Sequence, residues 1–186
     1  MNLQVFVMGF FQPGNSSNYY IGMWYKQVSP QTVVWVANRK KRVSDIFSSE
    51  LRISDGNLVL FNESKIPIWS TDLNSTGSSA SVRAVLHDSG NVVLNDESNS
   101  SEPSWQNFDH PAHTWLPDVK ISYNKITKKQ QRLTLWKNSE NPAPGLFSLE
   151  LDISDNSYIL LWNMSRRYWT SGSWNGRTFS KPRFCP

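Results

Sequence analysis

The sequence offers few residues for covalent or metal cross-links. Its only cysteine, Cys185, lies one residue from the end, so no internal disulfide framework is present. Two of its three histidines, His110 and His113, stand in "DHPAH" at a spacing that would suit a metal. The proline between them and the lack of further clustered ligands favour a loop instead, so we expect no metal and no cofactor.

Long apolar runs are also missing. None approaches the ~20 residues that a helix needs to span a bilayer, so we expect no membrane contact within this chain. The opening "MNLQVFVMGFF" has neither the basic region nor the small-residue cleavage site of a secretory signal. The alternation of Leu3, Val5 and Val7 predicts a strand there.

Catalytic patterns are equally scarce. The sequence shows no Ser-His-Asp or Cys-His arrangement, and no acidic pair suited to glycoside cleavage stands out. We therefore expect a protein that is not an enzyme.

The net charge of +4 and the pI near 9.2 would suit an anionic partner. However, the basic runs "RKKR" (39–42) and "KKQQR" (128–132) are short and follow strand-like segments. Solvated loop charge explains them better than a nucleic-acid patch, and no nucleic-acid module is recognisable. No nucleic-acid partner is expected.

Aromatic and turn-forming residues are abundant. Nine Trp, nine Phe and six Tyr are mixed with many Ser, Asn, Gly and Pro, which is typical of short strands joined by turns. Strand-like runs such as "TVVWVAN" (32–38), "GNLVLFN" (56–62) and "NVVLN" (91–95) are separated by "SDG" and "HDSG". The pattern predicts an all-β antiparallel sandwich, barrel or prism.

Tryptophans reveal a repeat. Trp35, Trp69 and Trp105 lie at intervals of 34 and 36 residues, and related phrases, "DGNLVLFNESKIPIW" and "SGNVVLNDESNSSEPSW", precede the second and third. Units of this size cannot bury an apolar face alone but can share one core around a pseudo-threefold axis. We therefore expect these tryptophans in the core rather than in a binding platform.

A fourth copy occurs near the end of the chain. "YILLWNMSRRYWTS" (158–171) parallels "LVLFNESKIPIWST", with Trp169 answering Trp69. A Pro-bearing segment and a turn-rich connector precede it. We therefore expect one domain over residues 1–121 and the truncated beginning of a second, similar domain over residues 122–186.

Several phrases in one order resemble the bulb-type, mannose-specific lectin domains of plant S-domain receptor-like kinases and S-locus glycoproteins. These phrases are "GFFQPGNSSNYYIGMWY", "TVVWVANR", "DGNLVLFN", "LHDSGNVVLND", "WQNFDHPAHTWLPDVKI" and "YWTSGSWNG". The resemblance implies a β-prism II fold with three four-stranded sheets, followed by a second lectin-like domain. It also implies an extracellular or membrane-associated full-length protein, whose signal, transmembrane helix and kinase motifs are absent from this chain.

The family's sugar-binding pattern is Gln-x-Asp-x-Asn-x-Val-x-Tyr, and the resemblance places it on Ile53, Asp55, Asn57, Val59 and Phe61. On one strand, residues two apart would share a face and present their polar groups to adjacent sugar hydroxyls. Ile53 has lost the amide and Phe61 the hydroxyl. At about 0.5–1.5 kcal/mol for each hydrogen bond, the two losses would weaken a site by roughly tenfold or more.

The other copies match less well. In the second, the pattern falls on His87, Ser89, Asn91, Val93 and Asn95, so only Asn91 and Val93 agree. In addition, "SDGN" is what a tight hairpin turn requires, which is an alternative explanation for Asp55 and Asn57.

Five Asn-x-Ser/Thr acceptors favour a secreted or lumenal protein. They are Asn15, Asn62, Asn74, Asn99 and Asn163. Two functions remain open: a lectin with degenerate sites for a mannose-type glycan, or an ectodomain that has lost sugar binding and recognises a protein or peptide ligand. Homo- or hetero-dimerisation through the ectodomain is compatible with both.

Overall fold

The fold is built almost entirely from antiparallel strands. A computed structural model describes residues 4–74, 81–96 and 102–185 of the chain. Within those ranges it contains fourteen strands, and a short 3₁₀ turn occupies Asn107–Asp109. The all-β prediction is confirmed.

Nine strands form three separate three-stranded sheets. The first contains β1 (Phe6–Phe11), β2 (Tyr20–Tyr25) and β3 (Val33–Val36). The second contains β4 (Glu50–Ser54), β5 (Asn57–Phe61) and β6 (Pro67–Ser70). The third contains β7 (Val82–Leu86), β8 (Val92–Asp96) and β9 (Trp105–Gln106).

The three repeat tryptophans meet at the centre of these sheets. The ring centroids of Trp35 and Trp69 are 6.2 Å apart, those of Trp35 and Trp105 6.2 Å, and those of Trp69 and Trp105 6.0 Å. Each pair is edge-to-face, which is a favourable arrangement for aromatic rings. The predicted threefold core is confirmed, and the architecture is that of a bulb-type lectin β-prism.

Each tryptophan holds the same place in its sheet. Trp35 lies opposite Met23, Trp69 opposite Leu60 and Trp105 opposite Leu94. All three partner side chains are at most 1% exposed. The repeat in the sequence is therefore a repeat in strand register.

The number of strands in each sheet differs from the expectation of four. In the described residues each prism sheet has three strands. No fourth strand forms in the described segment "RKKRVSD" after β3, which lies mostly in turns. It contributes one isolated bridge, between Tyr19 and Val43. A strand does form in the opening segment, but it begins at Phe6, after Val5, and Leu3 lies outside the described residues. The predicted alternation is wrong in phase, because Phe6 is buried whereas Val5 is 43% exposed.

A fourth sheet follows the prism. Its strands, in spatial order, are β10 (Leu133–Asn138), β11 (Asn141–Asp152), β12 (Ser157–Trp162), β13 (Arg166–Thr170) and β14 (Arg183–Phe184). Leu133 belongs to the prism's main buried cluster, and Leu149 and Tyr158 pack against it. One apolar core therefore joins the prism to this last sheet.

The last sheet repeats the local geometry of the prism. Trp169 lies opposite Leu160, as Trp69 lies opposite Leu60, and a register shift follows at the next position in both sheets. Ser171 Oγ accepts a hydrogen bond from the Tyr158 backbone N–H at 2.9 Å, as Thr71 Oγ1 does from Leu58 at 3.2 Å. The similarity of the fourth copy thus extends from sequence to backbone contacts.

Candidate functional site

The β4–β5 hairpin carries the residues that correspond to the family's sugar pattern. Asp55 and Gly56 form its turn with φ angles of 49° and 73°. Positive φ at both central positions is the requirement of a type I′ turn, and Asp-Gly is well suited to it. The five pattern positions therefore do not line one strand as expected: they run along β4, through a turn and into β5.

Because the chain reverses, Ile53 faces away from the rest of the row. It lies opposite Leu58, and directly opposed residues share a face of the sheet. Leu58 is buried in the prism core and Ile53 packs against the same cluster. The expectation that Ile53 shares a strand face with Asn57 is therefore wrong. The isoleucine that stands in place of the family's glutamine contributes apolar area to the core.

Asn57 is committed to the hairpin itself. Its Oδ1 accepts hydrogen bonds from Thr71 Oγ1 at 2.9 Å and from the Leu73 backbone N–H at 2.7 Å. Its Nδ2 donates to the carbonyl oxygens of Asp55 and Leu73, both at 3.2 Å. An amide has two donor hydrogens and two acceptor lone pairs, so all four capacities are used within the protein.

The remaining members of the row differ in accessibility. Val59 is 7% exposed. Phe61 is half-buried, and the Arg52 guanidinium carbon lies 4.5 Å from its ring centroid. Asp55 is exposed, and Ser54 Oγ donates to its Oδ2 at a long 3.3 Å. The free polar chemistry of the row is thus concentrated in the Asp55 carboxylate.

These residues line a groove of about 1200 Å³. It lies between the β4–β6 sheet and the segments 35–41 and 110–112, and the three core tryptophans contribute to its wall. Five basic and two acidic residues line it: Arg39, Lys40, Lys41, Arg52, Lys129, Asp55 and Asp72. The groove therefore combines apolar rings, polar groups and an excess of positive charge.

The second copy of the pattern is not part of this groove. Val93 is 5% exposed, and Asn91 Nδ2 donates to Gln106 Oε1 at 2.8 Å. Gln106 Nε2 in turn donates to Asp109 Oδ2 at 3.0 Å. Asn91 therefore belongs to a side-chain chain of hydrogen bonds that joins β8 to the 3₁₀ turn.

The two histidines of "DHPAH" lie in different environments. His110 stacks on Trp105 with ring centroids 5.3 Å apart, and burial together with Lys129 lowers its pKa. His113 lies 3.0 Å from the Val33 carbonyl through Nε2, and burial lowers its pKa to about 4. No cluster of potential metal ligands occurs in residues 4–74, 81–96 and 102–185.

Sequence reasoning missed the role of Arg39. The "RKKR" run was predicted to be solvated, but the Arg39 guanidinium donates to the carbonyl oxygens of Pro142 (2.6 Å), Thr134 (2.8 Å), Leu135 (3.0 Å) and Ala112 (3.2 Å). Burial lowers its pKa to about 10. Local sequence carries no signal for this clamp, because its acceptors are backbone groups up to 103 residues away.

The glycosylation acceptors are mostly at the surface. Asn15, Asn74 and Asn163 are exposed, and Asn99 lies outside the described residues. Asn62 is half-buried, and its Oδ1 accepts hydrogen bonds from the backbone N–H groups of Ser64 and Ile66 at 3.1 and 2.8 Å. No described helix is long and apolar enough to cross a membrane.

Comparisons with known proteins agree on one family. The model of the D-mannose binding lectin family matches residues 32–137. A G-type lectin S-receptor-like serine/threonine-protein kinase of Arabidopsis thaliana is 59% identical over 171 residues, which is 90% of this chain and 20% of that protein. A receptor-like serine/threonine-protein kinase of the same plant is 42% identical over 178 residues, 95% of this chain and 21% of that protein.

A shorter relative is also similar. An S-locus-specific glycoprotein of Brassica oleracea is 40% identical over 177 residues, which is 94% of this chain and 40% of that protein. The chain therefore spans about a fifth of the length of the two kinases and two fifths of that glycoprotein.

Proposed function

Since this chain belongs to the D-mannose binding lectin family, we propose that it is a carbohydrate-recognition module of a plant receptor-like kinase or S-locus glycoprotein, and that it acts outside the cell. The binding site in this proposal is the groove beside the β4–β5 hairpin. The observation that carries it is the exposed Asp55 carboxylate at the edge of a groove that Phe61 also lines. A carboxylate can accept hydrogen bonds from sugar hydroxyls, and the edge of an aromatic ring can contact the apolar part of the sugar.

Binding of a neutral mannose-type glycan through this row is expected to be weak. Ile53 has no hydrogen-bonding group, Phe61 has no hydroxyl, and Asn57 uses its donors and acceptors inside the hairpin. The exposed Asp55 carboxylate is then left to make the sugar contacts that several polar side chains make in the family pattern. Affinity at each site falls accordingly, and multivalent presentation would be needed for strong attachment.

The test is a calorimetric titration of deglycosylated protein with mannotriose, beside two variants. Asp55→Gly removes the carboxylate but keeps a residue that accepts positive φ. Asp88→Gly makes the same change in the hairpin turn of the third sheet, outside the groove. The proposal requires that mannotriose binding be weakened in Asp55→Gly and unchanged in Asp88→Gly; a folded wild type that binds no glycan on a broad panel would overturn it.

A second candidate function, recognition of a protein ligand, is favoured by the last sheet. Large apolar side chains are exposed there: Leu146 (56%), Trp162 (41%), Met164 (55%), Tyr168 (45%) and Phe184 (71%). The ring centroids of Tyr168 and Phe184 lie 5.6 Å apart, and the two rings form a continuous exposed apolar surface, a feature that commonly marks a contact with another protein. Substituting Trp162→Ser should weaken protein capture or self-association and leave glycan titrations unchanged.

The domain organisation is part of the same proposal. We propose that residues 122–186 belong to a second lectin-like unit. Two observations support this: the Trp169–Leu160 pairing and the Ser171–Tyr158 hydrogen bond both repeat prism geometry.

A further inference from the structure

We propose that the groove beside the β4–β5 hairpin selects anionic oligosaccharides whose sugar units carry carboxylates, rather than neutral mannosides. This inference rests on the proposed glycan-binding function of the same groove and names its ligand class. Two observations carry it: the excess of positive charge in the groove wall, and the free terminal nitrogens of the Arg52 guanidinium.

Positive charge dominates the groove. Its five basic residues exceed its two acidic residues by three. The three lysines, Lys40, Lys41 and Lys129, are exposed and have no ion-pair partner among the residues that the structure describes. A concave surface with a net excess of positive charge attracts ligands of negative charge and accelerates their association.

Arg52 lines the groove, is exposed, and has part of its guanidinium free. Its guanidinium carbon lies over the Phe61 ring, 4.5 Å from the ring centroid, in a cation–π contact. Its Nε lies 3.2 Å from Glu50 Oε1, and its two terminal nitrogens have no hydrogen bond to any other described residue. A planar guanidinium with two free terminal nitrogens is suited to bidentate binding of a carboxylate.

Arg39, at the other side of the groove, differs in this respect. Its guanidinium donates to four backbone carbonyl oxygens, so it contributes charge but little free hydrogen-bonding capacity. Arg52 is therefore the residue that would contact the ligand carboxylate directly.

The two acidic residues distinguish a saccharide from an acidic peptide. Asp55 and Asp72 are exposed in the same groove, and an ionised carboxylate only accepts hydrogen bonds. A uronate unit presents hydroxyl donors beside its carboxylate and satisfies both kinds of group. In an acidic peptide every side chain is an acceptor only, so its hydrogen-bond donors are confined to the backbone N–H groups and do not lie beside the carboxylates.

The experiment titrates the deglycosylated chain with three probes of similar length: an oligogalacturonate, mannotriose and oligoglutamate. The oligogalacturonate should bind at least tenfold more tightly than mannotriose, and raising the salt from about 50 to 500 mM should weaken only the uronate complex. An oligosaccharide of uncharged sugar units that carry sulfate esters serves as a fourth probe. It separates recognition of carboxylates from attraction to any anionic sugar.

Two matched variants locate the contact. Arg52→Gln should lower oligogalacturonate affinity by about tenfold to a hundredfold and mannotriose affinity by less than twofold, because hydrogen bonds to charged groups are the stronger ones. Arg166→Gln removes the same charge from an exposed position on β13, outside the groove, and should change neither affinity. Far-UV circular dichroism of both variants checks that the fold is retained.

Each outcome decides between the claims. If mannotriose binds as well as oligogalacturonate, or if oligoglutamate or the sulfated sugar binds equally tightly, the selectivity for carboxylate sugars is wrong while glycan binding stands. If no sugar binds, both this inference and the proposed function fail. If oligogalacturonate binds but Arg52→Gln does not weaken it, the assignment of the groove is wrong.

Discussion

The guanidinium carbon of Arg52 lies 4.5 Å from the centroid of the Phe61 ring. Contact with the face of the ring leaves its edge available, and Phe61 lines the groove. Phe61→Tyr should therefore add a hydrogen-bonding hydroxyl at little cost in stability, and raise mannotriose affinity by about twofold to tenfold. Calorimetric titration measures the gain; unchanged affinity in a variant of normal stability would show that the ring edge does not face the sugar.

Restoring the glutamine of the family pattern should, by contrast, lower the stability of the fold. Ile53 packs against the prism core opposite Leu58, so Ile53→Gln places an amide where an apolar side chain is buried. We expect the free energy of unfolding to fall by about 1–3 kcal/mol. Urea-induced unfolding followed by tryptophan fluorescence measures it, with Ile53→Val, expected to cost at most about 1.5 kcal/mol, as the control.

Asn57 should be a stability residue. Asn57→Ala removes four hydrogen bonds that join the turn, β5 and the segment after β6, and should lower the free energy of unfolding by about 2–4 kcal/mol. Asp55→Gly, two residues away and exposed, should change it by less than about 0.5 kcal/mol. Equal unfolding midpoints for the two variants would contradict the structural role of Asn57.

Arg39 should not be replaceable by lysine. A single ammonium group cannot reach four carbonyl oxygens in the planar arrangement that the guanidinium makes, so Arg39→Lys should cost about 2–4 kcal/mol of unfolding free energy. The exposed neighbour Arg42 offers a matched control, and Arg42→Lys should cost less than about 0.5 kcal/mol. A small effect at both positions would show that the clamp contributes little.

His113 should make stability depend on pH between about 6.5 and 4. Burial lowers the pKa of its folded form to about 4, so the unfolded chain binds the proton first as the pH falls. The free energy of unfolding should therefore decline through this window by up to about 3 kcal/mol, and no further on account of this group below pH 4.

The contribution of His113 is separable from that of the carboxylates. His113→Gln keeps a donor for the Val33 carbonyl but does not titrate, so the difference in unfolding free energy between wild type and variant should change with pH over the window. A pH-independent difference for His113→Gln would contradict the buried neutral histidine.

Much of the fold could be predicted because large apolar residues mark the repeat. Trp35, Trp69 and Trp105 recur at nearly constant spacing, and only a shared centre lets three such rings bury one another. Strand pairing then follows from turns such as Asp55–Gly56. The same turn also predicts that Ile53 faces the core, since a two-residue hairpin fixes the register of the strands on both sides.

Other features had no local signal. The Arg39 clamp depends on backbone carbonyls of Ala112, Thr134, Leu135 and Pro142, which any sequence would possess. Charge patterns along the chain predicted solvated loops, whereas the three-dimensional arrangement gathers five basic residues around one groove.

The reach of Arg39 also has a consequence for biosynthesis. Its acceptor at Pro142 lies 103 residues further along the chain. At about 5–20 residues per second, a ribosome needs roughly 5–20 s to add that stretch. During this interval Arg39 has been synthesised but Pro142 has not, so its set of four acceptors cannot be complete until β11 has begun to be made.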